Sequence, residues 1–359
     1  MSRSEINNYI MIKMDKILSI VVPTYNMENF LRRCLDSFCV EEILDVLEIL
    51  VVNDGSTDSS LNIANEYARK YSKTFRVIDK TNGNYGSCVN KGLSICSGKY
   101  FRIVDADDWV DRDALQSFLS YLSLLDDDLV VTGYTLAYQD GRKPINVISK
   151  NIKFEYAYSL NNMPFDSSFK SSLVMHSMTF KTEILRKANL FMQEGISYTD
   201  TEYCFYPLES VETMRFLPIF LYQYYIGREG QTVSSASRLK SLNSMFLISE
   251  RMLRHRNKQK ENAIPFVIQL QNIFFDNILR ILYDTILYNK VEKLNISRLR
   301  VIDSEFEKSL PDLYFHYNHI TDCKFHYIRA WRLYHVKPSS FLFRKYKQWY
   351  VNIKKIVHL

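Results

Sequence analysis

Three times in its first hundred residues the chain carries an apolar run into a small polar turn and then into a segment with helical periodicity. That repetition limits the fold more than any single motif. Residues 17–22 form an apolar run closed by Pro23, and Pro23, Thr24, Tyr25 and Asn26 make the turn. Phe30, Leu31, Cys34, Leu35 and Phe38 then share a helical face, with Arg32, Arg33 and Asp36 opposite. The second unit has a strand at 48–52, a turn at 53–58 containing Asp54, and a helix packing Leu61, Ala64, Ala68 and Tyr71. The third has a strand at 75–78 and a loop at 80–86 containing Asn82, followed by a helix reaching Ser97 and Gly98. Strands without hydrophobic alternation, each followed by a helix, predict an α/β fold with a mostly parallel sheet flanked by helices. Ligands of such sheets bind beyond the carboxyl ends of the strands.

The next strand, Phe101 to Val104, runs directly into Asp105, Ala106, Asp107, Asp108 and Trp109. Carboxylates this close repel one another unless a cation or hydrogen-bond donors sit among them. Hard oxygen ligands suit Mn²⁺ or Mg²⁺, which leave coordination positions for phosphate oxygens. The competing reading is a solvated acidic turn that caps the helix starting near Asp111. Asp54 falls on the same predicted rim, which favours chemistry for Asp105 and Asp107.

Further along, 129–134 reads as a strand and Asp140-Gly141 as a hairpin turn. Residues 181–189 read as a short helix, and a helix opens around Thr199-Asp200 and runs through Pro207. Asp200 by itself is equally an N-cap or first-turn acid. An apolar, aromatic stretch at 217–225 leads into a polar loop containing Arg228. From Ser241 the pattern is helical, with Leu270, Ile273, Phe274, Ile278, Ile281 and Leu282 on one face. The expected organisation is an extension at 1–15, an α/β domain at 16–235 and an α-helical C-terminal appendage at 236–359.

Composition narrows the function classes. The chain is 47% hydrophobic and 24% charged with only 10 Gly, so it should be folded throughout. Its six cysteines show no C-x-x-C pair, which argues against zinc and a disulfide framework and for a reducing, cytoplasmic setting. No run approaches the roughly 18 apolar residues of a membrane span, and the polar N-terminus lacks the order of a signal peptide. The 25 Tyr and 22 Phe suit core and interface packing first, and stacking on bases or sugars second. The net charge of +6 is concentrated from Lys324 onward, where nine Lys or Arg occur without an acid. Leu342, Tyr346, Trp349, Ile353 and Ile356 fall at helical spacing there, flanked by Lys and Arg. Such a helix fits either the anionic inner face of a membrane or the chain's own domain. No reader motif accompanies the basic residues, so nucleic acid is not an expected partner.

Taken together, SIVVPTYN (19–26), VVNDGSTDSS (51–60), the 82–109 segment ending in VDADDW, and SYTDTEY (197–203) resemble the family 2 glycosyltransferases. These are inverting enzymes of GT-A, Rossmann-like fold that build bacterial surface polysaccharides. The resemblance spans about residues 16–235. It implies a nucleotide-sugar donor, a UDP-sugar in the first instance, a glycan or lipid-linked oligosaccharide acceptor, and Mn²⁺ or Mg²⁺ as cofactor; it leaves room for an oligomer. Pro23, Thr24, Tyr25, Asp54 and Asn82 would surround the nucleotide. Asp105 and Ala106 would approach the ribose, and Asp107, with Asp105, would hold the metal. Asp200 would be the general base, and Arg228 would lie near the diphosphate. Two positions depart from the family pattern: the Arg that many members carry before the Asn of the motif matching Val89-Asn90 is absent, its contact missing or supplied by Lys91, and Thr199 replaces a Glu. A dehalogenase-type phosphatase would want Thr or Val at Trp109, and a nucleotidyltransferase would want a Gly-rich basic first loop. A non-catalytic subunit binding sugar nucleotides or glycans is the alternative from another class.

Overall fold

The structure, a computed structural model, describes residues 16–161, 163, 169–228, 235–259, 264–322, 325–335, 337–338, 340 and 345. The expected amphipathic helix at 342–356 lies outside the described residues apart from Lys345. By compactness the chain divides into one unit of Met1–Glu229 with Ile264–Leu270, and a second of Gly230–Ala263 with Gln271–Leu359.

The first unit is built on one curled sheet. Strands β1 (Leu18–Thr24), β2 (Leu47–Asn53), β3 (Phe75–Asp79) and β4 (Tyr100–Ile103) pair in parallel, in the order β3-β2-β1-β4. Every residue of β2, and all of β1 but Pro23, is buried, which is why these segments lack polar alternation. Helices α1 (Glu28–Asp36), α2 (Ser60–Lys70) and α3 (Asn84–Ile95) complete the β-α units expected from the sequence. Thr24 pairs with Asn53, and Val21 with Ile103, so the turns after β1, β2 and β4 start from one edge of the sheet.

The remaining elements of this unit are β5 (Trp109–Val110), α4 (Arg112–Leu124), β6 (Leu129–Tyr138), β7 (Ile145–Val147), β8 (Ala157–Ser159), α5 (Phe169–Ser172), β9 (Met178–Lys181), α6 (Thr182–Lys187), α7 (Asp200–Phe205) and β10 (Thr213–Ile226). The sheet continues from β4 as β9-β6-β10-β5. Strand β9 is antiparallel to both β4 and β6, whereas β6 and β10 are parallel. The second half of the sheet is therefore mixed. Strand β10 contains the apolar, aromatic stretch at 217–225 and starts four residues before it, at Thr213. In the fold Pro218 is exposed and sits where the register with β6 shifts, a place that tolerates a missing N–H.

Gly92 lets α3 lie directly on β1: a Cβ at this position would stand 2.3 Å from Val21 Cγ2. Gly92→Ala should therefore cost about 1–3 kcal/mol through overpacking. A denaturation midpoint equal to the parent's would show that the helix can retreat freely.

The second unit is helical: α8 (Ser235–Lys240), α9 (Leu242–Lys258), most of α10 (Pro265–Tyr288), α11 (Lys293–Ser309), α12 (Pro311–Tyr317) and α13 (Tyr327–Tyr334). Its interior is polar as well as aromatic. Arg332 donates to Asp303 at 2.8–2.9 Å and stacks 3.5 Å from the centre of the Tyr314 ring, and Tyr283 also donates to Asp303. Tyr100, Tyr203, Tyr222, Tyr283, Tyr317 and Tyr327 are all buried, so packing accounts for much of the tyrosine. No described helix is long and apolar enough to cross a membrane.

Candidate active site

The turns after β1 and β2 are stitched together. Asn26, held at φ 53°, accepts from Thr57 N at 2.8 Å, and its own N–H donates to Ser56 Oγ at 3.0 Å. Glu28 N donates to Asp58, and Ser59 N donates back to Glu28, each at 3.0 Å. Tyr25 remains 47% exposed beside this plate, placed to offer an aromatic face.

Asp54 lies buried behind it. Its carboxylate accepts from Lys80 Nζ at 2.6 Å and Gly83 N at 2.9 Å, and its carbonyl accepts from Asn82 Nδ2 at 2.9 Å. Gly55, at φ 73°, supplies the left-handed turn that brings Asn82 against it. Lys80, which the sequence reading left unassigned, is thus the cation that allows a buried carboxylate on this rim. Lys80→Met should destabilise the protein by about 3 kcal/mol, because it strands Asp54 without its counter-charge. Urea unfolding measures this, and an unchanged midpoint would mean that the backbone donors alone suffice.

The acidic strand end is more elaborate than its sequence suggests. Asp105 accepts from Tyr85 Oη at 2.8 Å. Asp108, almost fully buried, accepts from Tyr222 Oη at 2.5 Å and Tyr225 N at 2.7 Å. Asp107 forms a close ion pair with Arg228. Arg33 donates to the Asp107 carbonyl at 2.7 Å, and its guanidinium lies 3.9 Å and 4.3 Å from the ring centres of Trp109 and Tyr225. Periodicity put Arg33 on the polar flank of α1, but its fork closes over the acidic turn instead. Lys91 stays exposed on α3, while Asn90 ties that helix to the Met192 carbonyl and to Glu194. Asp111 caps α4, accepting from Ala114 N at 2.9 Å, so the turn both caps a helix and gathers acids.

His176, solitary in the sequence, joins this cluster. Ligand atoms of Asp105, Asp108 and His176 lie within 4.8 Å of one another. The imidazole packs between Tyr222 and Tyr224, with ring centres at 4.7 Å and 4.4 Å, and its Nδ1 finds no hydrogen-bond partner among the described residues. Burial, aided by the nearby Arg102 guanidinium, pushes its pKa down to about 3, so the ring is neutral and can act as a ligand. Two carboxylates and a neutral imidazole form a donor set that Mn²⁺ accepts and Mg²⁺ tolerates. Asp107 stands next to this trio but is committed to Arg228.

Burial and the neighbouring Asp107 carboxylate push the Asp105 pKa up to about 7; Asp200 adds to the rise, whereas Tyr85 and Arg228 oppose it. Burial also raises Asp108, with Asp107 and Asp105 contributing. Asp200 is the first residue of α7, following Tyr198 at φ 65° and Thr199. Burial raises its pKa, and the backbone N–H groups of Thr201 and Asp200 oppose the rise. The adjacent acid, Glu202, is fully buried and holds Gln193 N at 2.6 Å, so it serves the loop rather than the cleft.

A mixed α/β sheet with polar turns and an acidic cluster on one rim is the architecture of a GT-A-like domain. Residues 19–181 match the sequence profile described as Glycosyl transferase family 2. Putative glycosyltransferase EpsH of Bacillus subtilis is 36% identical over 129 residues, which are 36% of this chain and 37% of that protein. The uncharacterized glycosyltransferase EpsJ of the same organism is 28% identical over 210 residues, 58% of this chain and 60% of its own. The matched stretch is thus under two thirds of either relative. Among solved structures, residues 1–349 of S. aureus TarS in complex with UDP-GlcNAc superpose with a TM-score of 0.61 at 20% identity, covering 88% of this chain and 86% of that one. A Pyrobaculum calidifontis mannosyltransferase in complex with GDP-Man and Mn²⁺ superposes at 0.50 with 14% identity, covering 97% and 90%. These likenesses establish the fold.

Proposed function

We propose that the chain is an inverting glycosyltransferase that moves a sugar from a nucleotide donor, a UDP-sugar first among the candidates, to a hydroxyl of a growing surface glycan. The observation that carries this reading is the convergence of Asp105, Asp108 and His176 beyond the end of β4, on the rim that also carries the turns of Tyr25 and Asp54. The ligands of the two superposed structures, UDP-GlcNAc in one and GDP-Man with Mn²⁺ in the other, support a sugar nucleotide and a divalent ion.

Pro23, Thr24, Tyr25, Asp54 and Asn82 would take the base and ribose, with the Tyr25 ring as stacking surface. Asp105, Asp108 and His176 would hold Mn²⁺ or Mg²⁺; Asp107 would join them once Arg228 turns to the diphosphate. The ion supplies positive charge for the departing phosphate. Arg228 and Arg33 add fixed cations on the same side. Asp200, ionised in a half-buried setting that raises its basicity, would take the proton from the acceptor hydroxyl as that oxygen attacks the anomeric carbon. A single displacement through an oxocarbenium-like state needs no covalent enzyme intermediate.

Calorimetric titration of UDP, GDP and dTDP, each with and without Mn²⁺, tests the donor side. Metal-enhanced binding selective for UDP is the expected result. Absence of binding by all three would favour a non-catalytic glycan-binding role.

A further inference from the structure

The helical unit contains a cavity of about 420 Å³ that plays no part in the donor chemistry above. Its size falls within the roughly 300–1,000 Å³ typical of small-molecule sites. Its walls come from α8, α10, α13 and the segment around Asp322, and they are polar almost throughout.

The polar groups here are held in place by one another. Asp284 accepts from Tyr327 Oη at 2.5 Å and from Arg280 Nε at 3.2 Å. Asp322 accepts from Tyr288 Oη at 2.6 Å. The two tyrosine rings meet edge to face at 5.3 Å, and the Arg280 guanidinium lies 5.6 Å from the centre of the Tyr327 ring. Asn289 spends its amide N–H on the Thr285 carbonyl, which leaves its own oxygen as an acceptor. A pre-positioned wall of carboxylate and amide acceptors beside aromatic rings suits hydroxyl groups carried on an apolar ring face.

One member of the wall is not satisfied. The Arg238 Nε is buried, and it finds no hydrogen-bond acceptor among the described residues. Arg280 has Asp284 as its partner, but no described carboxylate pairs with Arg238. Arg238 lines the cavity, and its guanidinium charge, matched by no described carboxylate, favours an anionic oxygen there.

We propose that this cavity binds an anionic saccharide, with its carboxylate or phosphate oxygens on Arg238 and its hydroxyls on Asp322 and Asn289. That the saccharide belongs to the acceptor glycan rests on the transferase reading; binding itself does not.

The test uses the full chain without nucleotide and follows ligand-observed NMR titrations of methyl glucuronide, glucose 6-phosphate, methyl glucoside and inorganic phosphate. At least one charged sugar should bind ten times more tightly than methyl glucoside and than inorganic phosphate, and which one binds identifies the anionic group. Arg238→Gln should bring the charged sugar down to the level of the glucoside. Asn289→Ala should weaken it severalfold with Arg238 intact, and thermal midpoints of both variants should match the parent. Equal binding of neutral and charged sugars, binding of phosphate alone, insensitivity to Arg238→Gln, or no binding of either charged sugar would each overturn the proposal. UDP titration of the same sample separates this failure from failure of the donor-site reading.

Discussion

Asp200→Asn is expected to lower sugar transfer by about 10²–10⁴ while leaving nucleotide affinity within twofold. Asparagine keeps the size and polarity of the side chain at the start of α7 but cannot accept the acceptor's proton. Burial raises the carboxyl above its ordinary range, so its conjugate base is stronger than an exposed aspartate. In the parent, transfer should rise with pH as Asp200 ionises, and in the variant that limb should disappear. Measuring transfer and nucleotide binding on the same preparation decides the matter. A variant with parental turnover would remove Asp200 as the base, and one that lost nucleotide binding too would assign it to donor recognition.

The second large effect has opposite signs for stability and activity. Asp105→Asn should raise the melting temperature of the metal-free protein above neutral pH and abolish Mn²⁺-supported transfer. Burial and the Asp107 carboxylate raise Asp105 from an ordinary 3.8 to about 7. The folded state therefore holds this proton more tightly than the unfolded state. Between about pH 4 and 7 the folded form binds more protons, so stability falls as pH rises through that window and stays lower above it. Removing the charge should recover on the order of 2 kcal/mol at pH 8, and this gain should shrink as pH falls toward 4 and vanish below the unfolded pKa, where folded and unfolded forms are both neutral. Thermal melts across that range with chelator present provide the check. A lower melting temperature at pH 8 would mean that Tyr85 and Arg228 already neutralise the cluster.

The parts of this site that the sequence revealed are those with short-range causes. Asp54 and Asp105–Asp108 were legible because each follows an apolar strand directly, and parallel pairing puts such strand ends on one edge. Arg33, Lys80, Tyr85 and Tyr222 were not, because their roles depend on contacts between segments 20 to 117 residues apart. His176 was visible only as an isolated histidine. It meets Asp105 and Asp108 because β9 inserts antiparallel beside β4 and carries the preceding loop to the rim. Strand polarity in the second half of the sheet leaves no periodic signature.

The stitching of Asn26, Glu28, Ser56, Thr57, Asp58 and Ser59 has a consequence for ligand capture. Two separate loops would each have to lose backbone freedom when a base settled against Tyr25, at roughly 1–2 kcal/mol per residue fixed. Here folding has already imposed that order, so an aromatic ligand placed there would meet a rigid shelf, and its contact energy would not be diluted by loop ordering. Recognition at this end of the cleft should therefore resemble lock and key, leaving any slow rearrangement to Arg228 at the other end.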